Sequence, residues 1–171
     1  IARNVVVQNP NSRALYICYE HDRAHLMSRL LCMESAEQGS GEDALTLRRL
    51  SQLAFSSAEA SGIISQLRQD ARYAGLMQTI AGYADRFVLA KASGAYTTMR
   101  EIHNWIGQLL LPEVEQLLVV VDYLQKVPVN RDLLQTEDEV TTVLTQELKD
   151  IALSRGVHII AVAASDRLGL R

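Results

Sequence analysis

At 171 residues, 48% of them apolar and 22% charged, the chain has enough nonpolar surface for one domain with a real core and is too short to predict two. A formal charge of −3 excludes a generally basic surface, so any contact with nucleic acid has to come from a local cluster of Arg and Lys. No apolar run approaches the roughly 20 residues that span a bilayer, and no charged-then-apolar leader opens the chain; a cytoplasmic protein without a membrane segment is the expectation.

Residues 1–8 place Ala2, Val5 and Val6 at helical spacing before Asn9-Pro10-Asn11-Ser12 breaks the pattern, which predicts the tail of a helix. The chain opens on Ile1 in helix-like sequence, so its true beginning is expected upstream. Ala14-Leu15-Tyr16-Ile17-Cys18-Tyr19 is a continuous apolar run without alternation, the pattern of a strand buried on both faces, and Glu20 stands at its carboxyl end. A helix follows, with Asp22 suited to its N-cap and Leu26, Met27, Leu30, Leu31 and Met33 as one apolar stripe for the core, ending by Gly39-Ser40-Gly41. Residues 43–83 are helical by composition, with Ser56 and Glu59 at capping-box spacing, and carry no recognisable chemistry. Cys18 and Cys32 lack the close spacing of a zinc knuckle and read as free, buried thiols in a reducing compartment.

Phe87-Val88-Leu89-Ala90 predicts a short strand, and Thr98 with Glu101 a capping box for a helix that faces the core through Ile102, Trp105, Ile106 and Leu109. Pro112 limits that helix. The run Leu117-Leu118-Val119-Val120-Val121 is the strongest strand signal in the chain, and it ends in Asp122. Residues 126–135 are polar and read as an exposed loop; a helix over about 136–154 carries Val140, Val143, Leu144, Leu148 and Ile151 on one side, and Gly156 sits where a helix ends. Residues 157–164 give a fourth apolar strand. Strands separated by helices predict an α/β fold with a parallel sheet covered by helices.

Asp122 lies at the carboxyl end of a buried strand, where open α/β sheets bind ligands, and a carboxylate there holds Mg²⁺ through water beside nucleotide phosphates. On these residues alone an Asp that starts a turn is the alternative. The wording Asp122-Tyr123-Leu124-Gln125 after the strand resembles the Walker B segment of the replicative DNA helicases of the DnaB family, which are RecA-like ATPases. Tyr19-Glu20-His21 and the helix that follows are similar to the family's strand and helix bearing the catalytic glutamate, and the helix ending in Glu147-Leu148-Lys149 is similar to another of its segments. The resemblance implies one domain over residues 1–171, a RecA-like three-layer sandwich whose mostly parallel sheet lacks the P-loop strand. It implies Glu20 as the catalytic carboxylate that orients the water attacking the γ-phosphate, Asp122 as the magnesium-holding residue, and Asp122 with Gln125 at the nucleotide. Without the resemblance, Glu20 reads equally as a solvated strand-end carboxylate.

Two departures from the family pattern stand out. A phosphate cradle of this class needs a glycine-rich loop with Lys followed by Ser or Thr. The three lysines, Lys91, Lys126 and Lys149, precede Ala, Val and Asp instead, so that loop is expected upstream of Ile1 and the 171 residues alone are expected to be inactive. Where the family carries a γ-phosphate-sensing Gln, this chain has Ala163-Ala164-Ser165, and Ala side chains form no hydrogen bonds; Ser165 or Asp166 is left as a substitute.

The loop 126–135 occupies the position of the family's first DNA-binding loop, so Lys126 and Arg131 are candidate phosphate contacts, with a plain solvated loop as the alternative reading beside Asp132, Glu137 and Asp138. His21-Asp22-Arg23-Ala24-His25 lacks the Glu and third ligand of a zinc-protease helix and is read as a helix start. The resemblance further implies ATP and Mg²⁺ as cofactors, single-stranded DNA as partner, a homo-oligomeric ring (usually a hexamer) with sites completed between subunits, and a primase or helicase loader as a further contact. Two other readings stay open: a RecA-like ATPase that is not a helicase, and a hydrolysis-deficient homologue that binds a nucleotide or a replication partner.

Overall fold

The apolar runs become strands because each is covered on both faces. In the computed structural model, which describes residues 1–38, 41–56, 62–129 and 136–164, the strands are β1 (Ser12–Cys18), β2 (Phe87–Lys91), β3 (Gln116–Asp122) and β4 (His158–Val162). They form one parallel sheet in the order β2-β1-β3-β4. Five of the seven β3 residues are fully buried in succession, as the lack of alternation requires. Leu15, Ile17, Leu117, Val119 and Val121 point to one side of the sheet, into a cluster with Met99, Ile102 and Ile106 of α6 (Met99–Leu109) and Leu144 and Leu148 of α7 (Glu137–Arg155). The residues between them in sequence, Ala14, Cys18, Leu118 and Val120, point the other way. There α1 (Ala2–Gln8) lies against β1 with Ala2 and Val6 buried. These elements make helix, sheet and helix layers within a unit comprising Ile1–His21 and Arg86–Arg171. The expected α/β fold with a parallel sheet is thus observed.

The helix ends follow local chemistry. The Glu101 carboxylate accepts a hydrogen bond from the Thr98 N–H at 3.0 Å, and the Thr98 hydroxyl meets the same oxygen, closing the expected capping box. Thr136 and Glu139 make the same arrangement at the start of α7, whose other end is Gly156 at φ +65°, a left-handed conformation that suits glycine. β4 is shorter than the apolar run suggested and is largely exposed, forming one edge of the sheet among the described residues.

The second unit, Asp22–Asp85, is helical. It contains α2 (Arg23–Glu37), α3 (Leu47–Ser56), α4 (Gly62–Gln69) and α5 (Ala74–Ala81). Asp22 caps α2 as expected, its carboxylate accepting from the His25 N–H at 2.7 Å. The expected Met-bearing core stripe of α2 is corrected: Met27 and Met33 are exposed, and the buried face is Leu30, Leu31, Glu34 and Ser35. Two polar residues can occupy that face because each has a partner. The Tyr83 hydroxyl donates to Glu34 at 2.5 Å, and the Leu45 N–H donates to the Ser35 hydroxyl at 2.8 Å. Arg72 pairs with Asp70 at 2.6 Å and lies over the Tyr73 ring; it holds the Asp70 carboxyl down at about 2. The Ser56–Glu59 capping box falls on residues 57–61 and the Ser56 side chain, outside the described residues.

Candidate functional site

The carboxyl edge of the sheet gathers the charged residues that end its strands. Parallel register puts Lys91 of β2 beside Cys18 of β1, and Cys18 beside Asp122 of β3. Adjacent strands are about 4.8 Å apart, so this row crosses three strands over roughly 10 Å. Glu20 is exposed and lies two residues past the end of β1, the strand next to β3. Its backbone is held on both sides. The Tyr19 N–H donates to the Asp122 carbonyl at 2.8 Å, carrying the β1–β3 pairing one step past the strands, and the His21 N–H approaches the Cys18 sulfur at 3.4 Å. The Tyr19 hydroxyl donates to the Thr97 carbonyl at 2.7 Å. Burial, with the Glu101 charge adding to it, pushes that hydroxyl well above the usual phenol range, so it stays a donor.

Asp122 is half-buried at the end of β3. One of its oxygens, Oδ2, accepts a 2.5 Å hydrogen bond from the Tyr16 hydroxyl. Tyr16 is two residues before the end of β1, and the two-residue period of a strand sends its side chain to the same sheet face as Cys18 and Asp122. The apolar strand pattern concealed this residue, because a Tyr inside such a run counts as core. The site fits a magnesium ion held through water: one Asp122 oxygen is oriented by Tyr16, and Oδ1 takes no hydrogen bond from the described residues. It does not supply a phosphate cradle, since none of the three lysines follows a glycine-rich loop.

After Asp122 the chain leaves the sheet through a 3₁₀ turn, Leu124–Lys126, with Leu124 buried in the core. The Gln125 side chain lies against the strand-end segment after β4. Its Nε2 donates to the Ala164 carbonyl at 2.6 Å, and its Oε1 accepts from the Ala164 N–H at 3.2 Å. Lys126 is exposed, its ammonium 5.6 Å from the centre of the Tyr123 ring. Arg131, the second candidate DNA contact, falls outside the described residues, as do Ser165 and Asp166. The structure therefore brings Glu20, Tyr16, Asp122, Gln125 and Lys126 to one edge of one sheet.

No protein-family model matches the sequence, and no curated protein does. Solved structures with the same fold are found among helicase ATPase domains. One, an ATPase domain of the DnaB-like class, superposes with a TM-score of 0.70 over 98% of this chain at 14% identity. Another, a DnaB-like replicative helicase whose interactions with primase are described with it, superposes with a TM-score of 0.64 over 93% of this chain at 15% identity. The chain spans 51% of the first and 33% of the second. At this identity the likeness establishes the fold, that of a RecA-like ATPase domain.

Proposed function

We propose that residues 1–171 belong to the motor domain of a DnaB-type replicative helicase, which couples ATP hydrolysis to movement on single-stranded DNA. The observation that carries the reading is the pairing of β1 with β3, two parallel neighbours whose carboxyl ends present Glu20 and Asp122 at one edge of the sheet. Asp122 would hold magnesium through Oδ1, with Tyr16 fixing the carboxylate; when bound, the metal neutralises charge on the phosphate oxygens. Glu20 accepts a proton from, or orients, the attacking water at its carboxylate. The phosphate loop is expected upstream of Ile1. An arginine from a neighbouring subunit, a hexameric ring, and contact with a primase or loader follow from the same reading, supported by the fold and by the helicase–primase structure that shares it. No helix among the described residues is long and apolar enough to cross a membrane; the reading places the protein in the cytoplasm.

The test is ATP hydrolysis by the full-length protein with and without single-stranded DNA. Stimulation by DNA is expected; hydrolysis indifferent to DNA would favour an ATPase of other purpose, and no hydrolysis a binding-only homologue. Those alternatives draw support from Ala163-Ala164, which put no polar side chain at the end of the strand segment where the family senses phosphate.

Two smaller effects follow. Tyr16→Phe removes the hydroxyl that orients Asp122, and the magnesium concentration for half-maximal hydrolysis is expected to rise about tenfold. An unchanged magnesium titration would reduce Tyr16 to a space-filling residue. Lys126→Ala is expected to lower DNA affinity and reduce the slope of log K against log salt by about 1. Fluorescence anisotropy at several salt concentrations reads both, and an unchanged slope would remove Lys126 from the DNA contact.

A further inference from the structure

Gln125 makes a contact that neither hydrolysis nor DNA binding, as described above, requires. The register between β3 and β4 ends at Asp122 and Val162. Beyond it the chain after β3 turns away into the 3₁₀ turn, and its backbone no longer follows the sheet. The Gln125 amide then meets Ala164 as a peptide group would, donating to the carbonyl and accepting from the N–H of the same residue. A primary amide has the donor and the acceptor this needs side by side. One end of this link is therefore the residue before Lys126, where the candidate DNA loop begins, and the other is the backbone at the segment where the side chains have become Ala.

We propose, resting on the helicase reading above, that Gln125 is a positioning residue that couples the loop starting at Lys126 to the strand-end segment 163–164 through main-chain hydrogen bonds. The link answers the departure at Ala163-Ala164. A phosphate-sensing side chain there would carry a signal through its own polar group, whereas Gln125 reaches the peptide of Ala164 and is indifferent to what side chain that residue bears. Displacement of the loop by DNA moves the 3₁₀ turn, and the amide transmits the movement to the end of the β4 segment. In this role Gln125 does not touch the nucleotide.

The test uses Gln125→Ala and Gln125→Glu in the full-length protein, with two readouts. Hydrogen–deuterium exchange over residues 158–164 is expected to accelerate about tenfold near Ala164 in Gln125→Ala, the scale of one lost hydrogen bond, and less in Gln125→Glu, which keeps the acceptor for the Ala164 N–H. The ratio of DNA-stimulated to basal kcat is expected to fall by about fivefold or more in Gln125→Ala, with Gln125→Glu between it and wild type. Unchanged exchange overturns the link. An unchanged stimulation ratio with a raised KM for ATP overturns it too and puts Gln125 at the nucleotide. If DNA fails to stimulate the wild-type protein, the helicase reading falls and this inference with it; if DNA stimulates wild type and both variants equally, only this inference falls.

Discussion

Asp122→Asn is expected to reduce ATP hydrolysis by about 10²–10³-fold, the usual cost of removing one group that stabilises transition-state charge, while leaving the fold in place. The two halves of this expectation come from different atoms. Asn keeps the shape of Asp and an oxygen that can still accept from the Tyr16 hydroxyl, so the contact between β1 and β3 at this point survives. It loses the negative charge that a hard cation requires of its ligand. Stability within about 0.5–1 kcal/mol of wild type, read by thermal melting, together with the lost hydrolysis, is the expected pair of results. Lost hydrolysis accompanied by a collapsed melting temperature would assign Asp122 to structure. Intact hydrolysis would leave it as the turn-starting residue that its sequence position also allows.

The strand bearing Asp122 could be read from the sequence because burial on both faces leaves a direct trace: five consecutive apolar residues with no polar alternation. Parallel pairing was legible for the same reason, since runs of that kind separated by helices need crossover connections. The capping box at Thr98 and the glycine at 156 were legible too, because helix ends are fixed by contacts three or four residues apart. What the sequence concealed depends on partners far along the chain. Tyr16 meets Asp122 across 106 positions, and Gln125 meets Ala164 across 39. Neither pair leaves a periodicity. The α2 stripe misled in the opposite way: Met27 and Met33 look like core in a local pattern, but Glu34 and Ser35 take the buried face because Tyr83 and the Leu45 N–H supply the hydrogen bonds that make burying them tolerable. The candidate carboxylates rest on a family resemblance in the sequence; the fold adds that their strands are neighbours.

Glu20→Gln is expected to lower kcat by about 10²–10⁴-fold, the range for a general base, with nucleotide binding retained. Glu20 is exposed, so an uncharged isostere there should shift stability by no more than about 0.5 kcal/mol. Its reach is nonetheless constrained. The Tyr19 N–H on the Asp122 carbonyl fixes the peptide before it, the Tyr19 hydroxyl on the Thr97 carbonyl fixes the neighbouring side chain, and the His21 N–H at the Cys18 sulfur fixes the residue after it. A carboxylate that merely ends a strand gains nothing from being held from both sides, whereas a base must return to one position in every turnover. Equilibrium binding of a fluorescent ATP analogue and steady-state hydrolysis by the full-length protein separate these roles. Unchanged binding with hydrolysis reduced to the level of Asp122→Asn puts Glu20 in the chemical step. Hydrolysis within about twofold of wild type would show a solvated carboxylate, and the catalytic base would then have to come from a residue other than Glu20.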